Sequence, residues 1–99
     1  MFIPGKLYVW QPQRHPDYRH TTTWALRTRY VFYFGSVEDI YGPDCFEIQS
    51  DDVLCMLQCI KNPNAGYKTW DVQILSPEGH IGWSKISEYL LDEWCLVSE

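Results

Sequence analysis

Apolar and polar positions along this chain alternate mostly with period two, the signature of strands that turn one face inward. The Pro4-Gly5 turn feeds Lys6-Leu7-Tyr8-Val9-Trp10, which sets Leu7 and Val9 on one face and Tyr8 and Trp10 on the other. Arg29-Tyr30-Val31-Phe32-Tyr33-Phe34 is a strand by propensity, closed by Gly35. Cys45-Phe46-Glu47-Ile48-Gln49 alternates as a half-buried strand should, after a connection over 36–44 that holds Gly42-Pro43. Thr69 to Leu75 alternates again, Ser76-Pro77-Glu78-Gly79 turns, and His80-Ile81-Gly82-Trp83 returns.

One element is ambiguous. Ser50 as N-cap, Asp51 and Asp52 behind it, and Lys61 with Pro63 at the end are helix signals over 53–61. The same residues are apolar almost throughout, as in a strand buried on both faces, and periodicity does not separate the two. A strand is expected, because the hairpin downstream needs a neighbour. Asn62-Pro63-Asn64-Ala65-Gly66 is a turn cluster. Ser87 is placed to cap a short helix, Glu88 to Asp92, before a closing strand Trp94-Cys95-Leu96-Val97. Residues 11–27 are polar, carry Pro12 and Pro16, and read as a long loop whose return Trp24 and Leu26 anchor. The fold class is therefore mainly β, a small and partly open barrel over residues 1–99, with a long insertion or loop region over 11–52.

Composition adds to this picture. A 99-residue chain makes one domain, and a chain of this size buries roughly 60–65% of its unfolded surface. Five Trp, seven Tyr and four Phe supply enough ring area to fill a small barrel. The net charge of −5 argues against phosphate-backbone binding as the main activity. That charge is uneven: in residues 1–35 five cations face Asp17 alone, net +4, whereas in 36–99 three lysines face twelve acids, net −9. A bipolar molecule of this kind can pair with itself or with a charged partner. No apolar run approaches the ~20 residues of a membrane span, and the amino terminus lacks the apolar core of a secretion signal. A cytoplasmic location is the expectation.

The four cysteines do not have the spacing of a metal site. Cys55 and Cys59 are separated by Met56-Leu57-Gln58 with no turn residue, and in a strand their thiols share one face about 13 Å apart. Cys45, Cys55, Cys59 and Cys95 are expected to be apolar filler in a reducing compartment, with no metal and no cofactor. There is no Gly-rich phosphate loop and no Gly-flanked serine nucleophile, and His15, His20 and His80 lie in polar, loop-like surroundings, so no enzyme is expected.

The Pro-Gly-Lys-Leu-Tyr opening, the strand from Trp70, the turn at Gly79, Ile81-Gly82-Trp83 and a helical turn before the last strand resemble SH3-like barrels. More narrowly, they resemble the short SH3-like proteins of tailed-phage genomes, marine ones included, most of which have no assigned function. The resemblance covers residues 4–10 and about 53–97. If the chain is phage-encoded, the host cytoplasm is the implied location. The resemblance also implies a ligand site for Pro-rich segments, which dock between aromatic ridges; Tyr8, Trp83 and Tyr89 would supply these. The paired Trp-Trp and the Pro before the helical turn are absent, which favours packing as the use of those rings.

Two functions follow as expectations. The first is a non-enzymatic binding or self-association module with a protein partner, from the bipolar charge, the aromatic surplus and the edges of an open barrel. The second is single-stranded nucleic-acid binding through Arg14, Tyr18, Arg19, Trp24, Arg27 and Arg29, where cations and rings interleave as base stacking requires.

Overall fold

A computed structural model describes residues 2–12, 29–62 and 68–97. Strands β1 (Leu7–Trp10), β2 (Arg29–Tyr33), β3 (Cys45–Gln49), β4 (Val53–Asn62), β5 (Thr69–Leu75), β6 (Ile81–Ser87) and β7 (Trp94–Leu96) make one antiparallel sheet. Its order is β3-β2-β6-β5-β4-β1-β7. The ambiguous run 53–61 is a strand, flanked by β1 and β5. The loop residues 13–28 and the turn residues 63–67 lie outside the described residues.

The sheet curls into a half-barrel because its inward positions carry rings. Tyr8 and Trp10 of β1 share a face, as the alternation predicts, and that face turns inward with Phe32, Leu54, Met56 and Ile74. Side chains bring β7, one end of the sheet, against β2, the strand next to the other end. Trp94 of β7 stands 5.5 Å from the Tyr30 ring and 6.2 Å from the Phe32 ring on β2, both edge-on. Such edge-to-face pairs are each worth ~0.5–1.5 kcal/mol beyond their buried area.

Turn chemistry fixes the registers. In the β5–β6 hairpin the Gly79 N–H donates to the Ser76 carbonyl (3.0 Å) and the Ser76 N–H to the His80 carbonyl (2.8 Å). Gly79 takes φ +91°, a left-handed geometry that suits glycine, and Pro77 presets the preceding turn. Between β3 and β4, Asp51 sits at φ +69°, where a short polar side chain is tolerated. There the Asp52 carboxylate accepts from the Gln49 N–H (2.8 Å), and the Asp52 N–H donates to the Gln49 carbonyl (3.1 Å).

Two expectations change. The short helix after Ser87 is a six-residue 3-10 turn, Glu88–Glu93, and the Ser87 side chain makes no capping bond. Six residues offer too few i→i−4 bonds to repay helix nucleation, so the segment winds more tightly. Within the 11–52 region the two expected strands form the β2–β3 hairpin, which docks β2 on β6 through Tyr33 and Trp83. The thiols are not uniformly core filler. Cys45 is exposed, and Cys55, Cys59 and Cys95 are half-buried. A bulge between Met56 and Gln58 shifts the register of β4. Cys55 therefore pairs with Leu75 on the outer face, while Cys59 pairs with buried Val72 and packs against the core.

Candidate interaction surfaces

The residues proposed for a Pro-rich ligand do not share one ridge. Tyr8 is buried in the core, its ring edge-on to Phe2 at 5.4 Å, and its hydroxyl oxygen accepts from the Ile3 N–H (2.8 Å). Trp83 lies on the opposite face of the sheet, buried between its cross-strand partners Gln73 and Tyr33. Tyr89 belongs to the 3-10 turn, and its side chain is outside the described residues. Of the nucleic-acid candidates only Arg29 is described; Arg14, Tyr18, Arg19, Trp24 and Arg27 are not.

Arg29 opens onto a groove of about 240 Å³ between β2 and β6. The two strands pair at Tyr33 and Trp83, and at Tyr30 the contact passes to a side chain, whose hydroxyl donates to the Lys85 carbonyl (3.2 Å). Val31, Tyr33 and Tyr41 wall the groove. The Tyr33 and Tyr41 rings meet edge-on at 5.6 Å. Burial, with Cys45 and Tyr41 alongside, raises the pKa of the Tyr33 hydroxyl, which keeps it neutral. Both cations at the groove are already matched: Arg29 Nε lies 3.2 Å from Glu47, and Lys85 Nζ lies 3.0 Å from Asp71. A phosphate entering here would have to compete with those carboxylates.

A second hollow, about 340 Å³, lies under the 36–44 connection, lined by Phe34, Gly35, Asp39, Gly42, Pro43 and Asp44. Its acids serve the loop itself. Asp39 accepts from the Ser36 N–H (2.7 Å), and the hydrogen bond from the Ser36 hydroxyl lowers the pKa of Glu38. Among the described residues no group of three or more His, Cys, Asp or Glu is arranged to hold a metal ion.

A further feature lies on the outer face. Ile81 pairs with Leu75, Leu75 with Cys55, and Cys55 with Leu7, so four apolar side chains cross β6, β5, β4 and β1 in a lateral row. Beside it runs a second row, Val53, Val9 and Cys95. Direct cross-strand partners share a face, and these rows alternate with the inward Tyr8, Leu54, Met56 and Ile74. Leu7, Val53 and Ile81 remain 48%, 45% and 47% exposed. The sequence did carry a signal: β1 and the first half of β4 are apolar at both parities, a composition otherwise found where both faces of a strand are covered.

No helix among the described residues is long and apolar enough to cross a membrane. No protein-family model matches the chain, and neither curated proteins nor solved structures provide a match.

Proposed function

We propose that this chain is a non-enzymatic binding module that meets a partner protein through the apolar outer face of β6, β5, β4 and β1. The observation that carries this reading is the lateral row Ile81, Leu75, Cys55 and Leu7, which is uncharged, exposed at its ends Ile81 and Leu7 and half-buried between them. Exposed apolar patches that cross several strands mark interaction sites in soluble domains. The SH3-like reading is favoured by the β4–β5–β6 meander, the 3-10 turn before the last strand and the return of β7 to β1. In the setting that resemblance implies, the module is a phage accessory protein. Nucleic acid is the weaker reading, since the described Arg29 is ion-paired with Glu47.

A photo-crosslinking side chain placed at residue 7 tests the reading, with the same group at Glu78 in the exposed hairpin turn as control. The expected result is a discrete adduct from residue 7 and none from residue 78, lost when Ile81 is changed to Lys. Equal labelling at both positions overturns it. A gel shift of single-stranded oligonucleotide at about 50 mM salt would instead favour nucleic acid.

A further inference from the structure

We propose that β3 is a homodimerisation edge: two copies pair their β3 strands antiparallel about a two-fold axis at Phe46, with Cys45 of one copy opposite Glu47 of the other. This surface is separate from the apolar outer face, and the inference does not depend on that face binding anything.

Among the described residues β3 is the terminal strand of the sheet, paired on one side by β2. The Phe34 N–H donates to the Asp44 carbonyl (3.0 Å), which sets the phase of the ladder. In antiparallel pairing the backbone groups of alternate residues turn toward the neighbour. Phe46 and Ile48 therefore serve β2, opposite Phe32 and Tyr30, while Cys45, Glu47 and Gln49 turn their N–H and C=O outward. At Gln49 both groups are taken by Asp52. Among the described residues the open edge is thus two residues long; it carries one charge, Glu47, and neither Lys nor Pro.

A second copy fits this edge in one register. An axis at Glu47 sets two carboxylates face to face and brings Cys45 against the occupied Gln49. An axis at Cys45 sets Glu47 against Pro43, which has no N–H to give. An axis at Phe46 pairs Cys45 with Glu47 twice, so that every outward group of both residues is used, four backbone hydrogen bonds in all. It also brings the two Phe46 rings together as a cross-strand pair, Cα atoms about 4.5 Å apart. Each Phe46 is already braced by Phe34, at 4.8 Å between centroids, and Phe32, at 6.1 Å. Arg29 partly neutralises Glu47, which reduces the cost of bringing together two chains of net charge −5.

The register is tested by Glu47→Cys. A hydrogen-bonded antiparallel pair has Cα atoms about 5.5 Å apart, within disulfide reach, whereas positions 45 and 47 of one chain are about 6.6 Å apart with parallel side chains. Mild oxidation of Glu47→Cys is expected to give a covalent dimer whose peptide map joins Cys45 to residue 47. Gln49→Cys, treated alike, stays monomeric. In sedimentation velocity the wild type shows a concentration-dependent dimer, and Glu47→Pro, which removes an outward N–H and no β2 bond, is monomeric. A wild type that is monomeric at its solubility limit overturns the proposal, as does a Glu47→Cys protein that oxidises without the 45–47 link. If Glu47→Pro fails to fold, the Glu47→Cys peptide map decides.

Discussion

Phe46 occupies the space that a side chain at Gly82 would need. A Cβ on Gly82 would stand 2.9 Å from Phe46 Cζ and 2.9 Å from the Tyr33 carbonyl oxygen. The ring could swing away, but the carbonyl belongs to the one rung that joins β2 to β6. Gly82→Ala is therefore expected to overpack the joint and destabilise the fold by about 1–3 kcal/mol. Thermal unfolding should fall by about 4–8 °C per kcal/mol in a domain of this size. An unchanged midpoint would show that the hairpin is not docked there.

Trp94 ties β7 to β2 through its ring contacts with Tyr30 and Phe32, so truncation should cost more than the loss of its indole N–H. That N–H has no hydrogen-bond partner although it is buried. Trp94→Ala is expected to cost about 3–5 kcal/mol, a large share of the stability of any small domain. Trp94→Phe removes an unpartnered donor while keeping a ring, and should cost clearly less. Urea midpoints of the two variants provide the comparison.

Tyr30→Phe deletes the hydroxyl that reaches the Lys85 carbonyl and leaves the ring beside Trp10 and Trp94. The expected loss is about 1 kcal/mol, measured by denaturant titration. A loss of that size with unchanged near-ultraviolet dichroism would place the effect at the β2–β6 gap.

The thiols should separate by reactivity. Cys45 is exposed, whereas Cys59 faces the core and burial pushes its pKa above the ordinary value. At pH 8 in dilute protein an alkylating reagent should modify Cys45 first and Cys59 last, as read by peptide mass spectrometry. The same shift has a stability consequence. The neutral thiol is favoured by folding, so its contribution is complete below pH 9 and is lost as pH rises through the folded-state value. Tyr33, raised above 10, extends the loss further into alkali. Unfolding midpoints should decline on the alkaline side, and Cys59→Ala should flatten the first part of that decline.

Much of the sheet was legible because alternation reports directly on which side of a strand faces the core. The grouping of Tyr8 with Trp10 on one face of β1, the β5–β6 hairpin at Pro77-Glu78-Gly79 and the β3 strand all follow from residues next to one another in sequence; which β1 face turns inward does not, because both are apolar. The β4 strand was legible only by inference from its neighbour, since an apolar run without period leaves helix and strand equal. What sequence did not reveal is tertiary. The bulge after Met56 sends Cys55 and Cys59 to opposite faces, and no local residue marks it. The lateral row escaped because Leu7, Cys55, Leu75 and Ile81 become neighbours only through three separate pairings. Tyr8 and Trp83, joined by type in the sequence, are parted by the sheet itself.

Asp52 governs how far this molecule's architecture can propagate. An unprotected strand margin recruits copies without limit when each newcomer brings a fresh margin of its own. Here the far border of the sheet is three residues long, Trp94–Leu96, with its Trp94 N–H already given to the Leu91 carbonyl, and the near one is shortened by the carboxylate that occupies Gln49. Such a sheet saturates with a single neighbour instead of seeding a filament.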